Sequence, residues 1–234
     1  MKFVVTTILL ILSHLSYAQR ENHLAFPEID SLYREDQFYV GATFHVINER
    51  PSGVVQSGFS GGLHAGFIRD IPFNKRRNWA LGIGIGYSVN VFNHNLVLVD
   101  KGNNGKTLFR TPLPEDDIKN NRFRNQLIEV PIELRWRTST PESYKFWRIY
   151  TGVRLGYMHS FVYQSEKNSG EQITFRKPDG LERLRMGATM TFGFNTFNFH
   201  VYYGINPFFD DSVSITNSQG GFSTIKIGLM FYIL

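Results

Sequence analysis

The chain has 234 residues, a formal net charge of +5 and no cysteine, and it is rich in Phe (21), Tyr (11) and Gly (21). The lack of cysteine excludes disulfides, thiolate metal sites, cysteine nucleophiles and a lipidated cysteine anchor. The basic residues are dispersed and form no long run, so nucleic acid is not an expected partner. Aromatic residues favour strands and membrane interfaces, and the composition therefore favours an all-β protein.

The N-terminus has the features of a secretory signal. Lys2 supplies a positive charge, residues 3–12 form an apolar stretch, and residues 16–18 (Ser-Tyr-Ala) form a small-x-small cleavage site. We therefore predict a signal peptide over residues 1–18 and a periplasmic N-terminal leader over residues 19–36. No later stretch approaches about 18 uninterrupted apolar residues, so no transmembrane helix is expected after the signal.

Residues 127–137, which read LIEVPIELRWR, show the pattern that decides the predicted fold. Apolar side chains alternate with charged ones, except at Pro131. Because successive strand side chains point to opposite faces, one face of this strand is apolar and the other is charged. A transmembrane β-barrel explains this pattern, since its outer face meets lipid and its inner face meets a polar lumen. Pro131 lacks the N–H that the strand ladder needs, so we predict a bulge or a local break in pairing there.

Seven other segments alternate in a similar way. The eight predicted strands lie near residues 37–47, 58–68, 79–91, 127–137, 147–160, 183–194, 197–205 and 225–233. Apart from the first outer loop, which is no longer than its neighbour, short and long connections alternate as in an even-stranded barrel with both termini in the periplasm. This order places the long loops 92–121, 162–182 and 206–222 outside the cell. The predicted fold class is all-β, an eight-stranded antiparallel up-and-down transmembrane β-barrel over residues 37–234 in the outer membrane.

The inward face of the predicted strands carries the candidate site. An eight-stranded barrel is just wide enough to be filled by its own side chains, and a buried charge without a partner is strongly unfavourable. We therefore predict a salt-bridged plug, in which carboxylates and guanidinium groups pair across the lumen. Its predicted members are Glu129, Glu133, Arg135, Arg148, Arg154, Arg183 and Arg185. A functional cationic channel is the alternative interpretation of the same charges.

The last predicted strand carries a terminal motif. Lys226-x-Gly228-x-x-Phe231-x-Ile233 resembles the C-terminal pattern that outer-membrane barrels present to their insertion machinery. The chain departs from the common form because it ends in Leu234 where an aromatic residue is usual. The barrel-insertion machinery and outer-membrane lipids are therefore expected partners.

Two neighbouring strands resemble the PorT-type, porin-like outer-membrane β-barrel family of Gram-negative bacteria. Glu129 and Pro131 match a Leu-Glu-Ile-Pro-like strand of that family, and Gly152 and Gly156 match the Gly-x-x-x-Gly of the following hairpin. The resemblance implies a small eight-stranded barrel. One branch of the family takes part in the type IX protein-export apparatus, so the resemblance also implies cell-envelope or secretion-complex proteins as partners.

No catalytic, cofactor-binding or metal-binding residue is predicted. His159 and Ser160 resemble the His and Ser that some eight-stranded barrels use to modify lipid A, but adjacent strand residues point to opposite faces. Residues 102–107 resemble a phosphate-binding loop but lack its first glycine, and turn chemistry explains them better. The leading hypothesis is a monomeric, non-enzymatic barrel with a structural or protein-interaction role. A narrow passive pore for small solutes and a lipid A-modifying enzyme are the alternatives.

Overall fold

The computed structural model describes residues 36–99, 108–139, 145–176, 178–215, 218–219 and 221–233. The predicted signal peptide, and the predicted leader apart from Asp36, lie outside these ranges. Among the described residues, no helix is both long enough and apolar enough to cross a membrane. In chain order the strands are β1 (Gln37–Asn48), β2 (Gly61–Pro72), β3 (Trp79–His94), β4 (Val97–Val99), β5 (Leu108–Arg110), β6 (Ile118–Arg137), β7 (Trp147–Lys167), β8 (Gln172–Arg176), β9 (Leu184–Phe194), β10 (Phe197–Gly204), β11 (Ser214–Ile215), β12 (Ser218–Gln219) and β13 (Ser223–Ile233), and a short 3-10 helix covers Pro114–Asp116.

Eight of these strands close an antiparallel barrel. Each pairs with its neighbour in the order β6-β3-β2-β1-β13-β10-β9-β7, and the pairing of β6 with β7 closes the ring. The predicted fold class is therefore confirmed. Two smaller parts lie outside the ring: β8 pairs with the last residues of β7, and β4, β5, β11 and β12 form a second sheet.

The two ends of the barrel differ in the length of the connections between strands. At one end, β2–β3 and β9–β10 are joined by the turns 73–78 and 195–196, and β6–β7 by residues 138–146. At the other end lie the longer connections, which contain β4, β5, β8, β11 and β12. We call these the short-turn end and the long-loop end.

Exposed apolar side chains surround the part of the barrel next to the short-turn end. In β3 this band begins at Trp79 and reaches Tyr87, and both side chains are exposed. Eight residues of strand span about 26 Å, and less along the axis of a tilted barrel, which agrees with an apolar band about 25 Å tall. The band includes Phe38, Val40, Leu63, Ile83, Ile85, Ile128, Val130, Leu134, Val153, Leu155, Met186, Met190, Phe192, Phe199 and Leu229.

Several strands are longer than the sequence predicted. β6 begins at Ile118 and β7 ends at Lys167, so both enter regions that were predicted as loops, and β2 runs to Pro72. Beyond the apolar band the alternation continues but its polarity is reversed. In β6, Arg124 is exposed on the outer face, whereas Phe123 is fully buried inside. The boundaries of β6 and β7 were wrong because these segments have polar residues outside and apolar residues inside, like a strand in water.

Pro131 lies at the predicted break in pairing. The register of β6 with β3 runs up to Ile83↔Ile132, omits the next two positions, and resumes unchanged at Gly86↔Glu129. On its other side Pro131 stays aligned with Arg154 of β7. The prediction of a local break is confirmed, and the break is confined to one of the two neighbouring strands.

β7 contains one extra residue. Its register with β6 passes from Leu127↔Met158 to Gln126↔Ser160, so His159 forms a β-bulge. Below the bulge the even-numbered residues of β7 face inward, and above it Phe161 and Tyr163 do.

Glycines on the inner wall make room for large side chains. A Cβ added to Gly66 would lie 2.6 Å from the Tyr39 ring, and one added to Gly86 would overlap the Tyr39 hydroxyl. A Cβ on Gly82 would lie 2.6 Å from Cδ of Arg135. The glycines of β2 and β3 therefore relieve crowding inside the barrel.

Candidate functional site in the barrel interior

Charged side chains fill the interior of the membrane-embedded part of the barrel. Among the described residues, six cationic side chains and three carboxylates are buried there. We call this set the ionic layer; it consists of Asp70, Glu129, Glu133, Arg135, Arg137, Arg148, Arg154, Arg185 and Lys226. The strand alternation brings these groups together, because each occupies an inward position of β2, β6, β7, β9 or β13.

Asp70 organises the part of the ionic layer next to the short-turn end. One of its carboxylate oxygens lies 3.0 Å from Nη1 of Arg135, and the other lies 2.8 Å from Nη1 of Arg137. The guanidinium of Arg135 also lies 3.6 Å from Glu133 and donates to the side-chain oxygen of Gln37. Sequence reasoning missed Asp70 because it ended β2 at residue 68. Continued alternation from His64 would have placed Asp70 inside.

Glu129 organises the middle of the layer. Its carboxylate accepts a hydrogen bond from the Ser88 hydroxyl at 3.0 Å and lies 3.4 Å from Nη1 of Arg154 and 3.8 Å from Nδ1 of His64. Arg154 also reaches Glu133, with 4.0 Å between the charged atoms. The structure thus brings both predicted carboxylates into ion pairs inside the barrel.

The cationic side chains of the ionic layer outnumber its carboxylates, and several of them lie over aromatic rings. The Arg135 guanidinium lies 4.1 Å from the centroid of the Tyr150 ring, and Arg148 lies 4.5 Å from that of Phe146. Lys226 lies 4.8 Å from the Tyr202 ring and donates to the side-chain oxygen of Asn90 at 3.1 Å. Such rings attract cations through the negative faces of their π-systems. They partly compensate for the shortage of carboxylates.

Two predicted members of the network behave differently from the rest. Arg183 is exposed and lies just before β9, so it is not part of the ionic layer and that prediction is wrong for this residue. Its side chain is outside because β9 begins at Leu184, and the alternation on which the prediction relied does not extend to residue 183. Arg185 is buried, donates to the backbone oxygen of Pro207, and lies 4.2 Å from the Phe208 ring.

A second buried cluster, the aromatic cap, fills the long-loop end. Phe123 is fully buried, and its ring lies 5.2 Å from Phe161, 5.7 Å from Phe109 and 5.9 Å from both Phe209 and Phe222. The cap was not predicted from the sequence. It consists of Ile47, Val54, Phe92, Leu96, Phe109, Phe123, Leu127, Met158, Phe161, Tyr163, Phe208, Phe209, Val213, Ile215 and Phe222.

Polar contacts fix the long connections over the cap. The Tyr163 hydroxyl receives the backbone N–H of Leu98 at 3.2 Å, and the Asn121 amide donates to the backbone oxygen of Leu96 at 2.7 Å. In the second sheet β11 pairs in parallel with β5, which ties the last long connection to the second one. The described parts of the second and last long connections, which were predicted to lie outside the cell, therefore pack against each other.

An ion pair closes the connection between β5 and β6. Nη1 and Nη2 of Arg110 donate to the Asp116 carboxylate at 2.5 and 2.6 Å, and the carboxylate also accepts the backbone N–H of Leu113 at 2.6 Å. The hydrogen bond from Arg110 lowers the pKa of Asp116 below its ordinary value.

The residues of the predicted insertion motif lie on both faces of β13. Lys226 is buried in the lumen, whereas Ile233 is exposed on the outer face and Phe231 is partly exposed. A Cβ on Gly228 would overlap the backbone of β1 at Ala42. Recognition by the insertion machinery stays a prediction.

The candidate site offers paired charges and packed rings. Within the described ranges, no group of three or more His, Asp or Glu side chains is arranged to hold a metal ion. His159, the residue considered for catalysis, is exposed, and its Nε2 lies 3.2 Å from the Tyr87 hydroxyl. The arrangement is that of a filled, ion-paired barrel.

Comparison with known proteins agrees with this description. The family model "outer membrane protein beta-barrel domain" matches residues 17–210. The chain belongs to this family. Its members' shared fold, together with the exposed apolar band, places the chain in the outer membrane. The narrower PorT-type assignment stays a resemblance.

One solved structure similar to the chain is Ail, the attachment invasion locus protein of Yersinia pestis, crystallised with the heparin analogue sucrose octasulfate. The two share 11% sequence identity with a TM-score of 0.35, over 86% of this chain and 100% of Ail. No curated protein matches the chain significantly.

Proposed function

We propose that the protein is a non-enzymatic outer-membrane barrel that presents a folded, closed long-loop end to other envelope proteins. The observation that carries this proposal is the filling of the interior by two successive clusters, the ionic layer and the aromatic cap. A surface that is held rigid by buried rings loses little conformational freedom when it binds a partner. Association with the type IX export apparatus, which the resemblance implies, is a finer form of this proposal.

The orientation of the barrel is tested by single cysteines, since the natural chain contains none. Ser169 lies in the exposed turn between β7 and β8, and Lys75 lies in the exposed turn between β2 and β3. A membrane-impermeant maleimide should label Ser169→Cys on intact cells and should label Lys75→Cys only after lysis. The reverse pattern would invert the proposed topology, and equal labelling on intact cells would contradict a membrane-spanning barrel.

The partner is tested by affinity purification of the full-length protein from detergent-solubilised outer membrane. We expect envelope proteins to co-purify, and those of the type IX apparatus if the finer proposal holds. A matched variant should disrupt the cap alone, and Phe209→Ala serves because this ring is fully buried there. Loss of partners in the variant, with the barrel still folded, would support recognition through the long-loop end. Unchanged partners would contradict it.

The pore and enzyme alternatives have direct tests. A filled interior predicts no stable single-channel conductance in planar bilayers, and discrete conductance steps from the purified barrel would overturn the closed-barrel proposal. His159 and Ser160 are the residues considered for the enzyme alternative, and the contact of His159 with Tyr87 involves no carboxylate base. A lipid A mass profile that changes both on deletion and in His159→Ala would support catalysis. A profile that changes on deletion but stays normal in His159→Ala would indicate a structural effect.

A further inference from the structure

The outer wall formed by β3, β6, β7 and β9 ends its apolar band in an aligned row. Tyr87, Ile128, Tyr157 and Leu184 occupy the same level on these four adjacent strands, as their pairing shows, and all four are exposed. Above this row the outward residues of β6 become polar, at Gln126 and Arg124, whereas those of β3 stay apolar at Val89 and Val91. On β6 the row therefore marks the upper limit of the surface that acyl chains can cover.

Two arginines follow four residues beyond this row on the same outer wall. Arg124 of β6 is aligned with Val162 of β7, which is aligned with Arg176 of β8. Tyr163 and Phe175, the next aligned pair, both pack into the aromatic cap, so Arg124 and Arg176 point outward. Both are exposed. Two strand spacings separate their backbones by about 10 Å, so both guanidinium groups can approach one ligand above Val162.

Neither arginine has an ion-pair partner among the described residues. The nearest carboxylate on the same face of β7 is that of Glu166, which binds Lys119 with 2.6 Å between the charged atoms. Glu182, closer to the membrane band, accepts the backbone N–H of Leu184 at 3.2 Å. The exposed Arg183 lies beside this region, since its backbone oxygen accepts the N–H of Met158. The patch is therefore cationic without internal neutralisation.

The height of the patch matches the head-group region. Four residues from Ile128 to Arg124 span about 13 Å along the strand, or about 10 Å along the axis at a tilt of about 40°. The interfacial region extends about 5–8 Å beyond the hydrocarbon on each side, within reach of long arginine side chains.

We propose that Arg124 and Arg176 bind the phosphate group of an anionic membrane lipid whose acyl chains lie against the row of Tyr87, Ile128 and Tyr157. Guanidinium groups match phosphate oxygens with two parallel hydrogen bonds, and the apolar row supplies the surface for the chains. This site is separate from the partner surface of the proposed function, because it faces the membrane and not the end of the barrel.

The test uses the full mature barrel in neutral detergent, titrated with phosphatidylglycerol and followed by native mass spectrometry. The double variant Arg124→Gln/Arg176→Gln should bind the lipid about 30-fold more weakly, since each arginine near an anionic surface contributes about fivefold. The matched control Arg69→Gln/Arg76→Gln removes the same charge from exposed positions on β2 and the β2–β3 turn. We expect its affinity to stay within about twofold of the natural protein's, because charge far from the ligand is screened.

Equal weakening in both double variants would overturn the proposal in favour of bulk electrostatics, and so would unchanged affinity in the Arg124/Arg176 variant. A further variant, Arg124→Lys/Arg176→Lys, keeps the charge but removes the paired donors, and intermediate affinity is expected. Affinity equal to that of the natural protein would overturn the two-donor geometry. The heat-dependent gel mobility of folded barrels checks that each variant is folded.

Discussion

The ionic layer and the aromatic cap fill the same barrel but follow opposite rules. In the membrane-embedded part the outer face is apolar and the interior is charged, whereas beyond the band the outer face carries Arg124 and the interior carries Phe123. The solvent outside explains the reversal. Lipid accepts apolar side chains at no cost, so polar groups turn inward and must pair, whereas water drives apolar side chains into a conventional core.

The comparison teaches that the two regions should fail differently. Loss of a ring from the cap removes buried apolar contacts, and the cost grows with the cavity that remains. Loss of a charge from the ionic layer leaves its former partner buried and uncompensated. Substitutions that keep the shape of a side chain should therefore be tolerated better in the cap than in the ionic layer.

The largest effect is expected from Phe123→Ala. Its ring is fully buried and packs against four other Phe rings, so we expect the free energy of unfolding to fall by about 4 kcal/mol. Urea unfolding of the barrel in lipid vesicles measures this change. Phe59→Ala is the control, because Phe59 is 75% exposed and should cost far less. Equal costs for the two variants would show that the cap does not contribute a core.

A somewhat smaller effect is expected from Asp70→Asn. This carboxylate is paired with both Arg135 and Arg137, and its neutralisation should cost about 3 kcal/mol although the side-chain shape is kept. Unfolding in the same vesicles provides the measurement, and Asp211→Asn, an exposed loop position, provides the control. A fall of less than about 0.5 kcal/mol in the free energy of unfolding would mean that water or another anion compensates the charges of Arg135 and Arg137.

Glu129→Gln should cost less than Asp70→Asn, at about 2 kcal/mol. The amide oxygen of Gln can still accept from Ser88, whereas the ion pair with Arg154 loses its charge. Glu133→Gln tests the other predicted carboxylate, which lies 4.0 Å from Arg154 and 3.6 Å from Arg135. If both variants unfold at the temperature of the natural protein, the salt-bridged plug is wrong.

The smallest effect concerns pH and lies outside the membrane. The hydrogen bond from Arg110 lowers the pKa of Asp116 in the folded chain. The stabilisation that this ion pair gives the folded connection is therefore complete above the pKa of an aspartate in the unfolded chain, about 3.9, and is lost as the pH falls below that value. Proteolysis of the β5–β6 connection should therefore accelerate between about pH 4 and pH 3 in the natural protein. Asp116→Asn should be cleaved faster at neutral pH and should lose this pH dependence.

The sequence predicted the membrane-embedded part well because two solvents act on its two faces there. The alternation assigned Glu129 to the inner face, the missing N–H of Pro131 predicted the break, and the structure agrees with both assignments. Asp70 was missed because its strand was ended too early, and Arg183 was misplaced because its strand was begun too early. Errors in the predicted end of β2 and the predicted start of β9 therefore changed the membership of the ionic layer.

The aromatic cap could not be predicted in the same way. Phe109, Phe208 and Phe222 lie in or beside long connections, and no local period marks them as neighbours. They meet because distant parts of the chain, including β5 and β11, pair only in three dimensions. The available signal was composition: Phe is too frequent in the predicted loops for solvent-exposed segments.

The extra residue at His159 determines which face of β7 each later side chain points to. If that position were deleted, the inward and outward sets above it would exchange, so Phe161 and Tyr163 would point to solvent while Val162 and Gln164 would point into the cap. The bulge thus shifts by one residue which side chains of β7 face inward. Because of this shift, one continuous strand can expose apolar side chains to lipid along its first half and bury apolar side chains away from water along its second half.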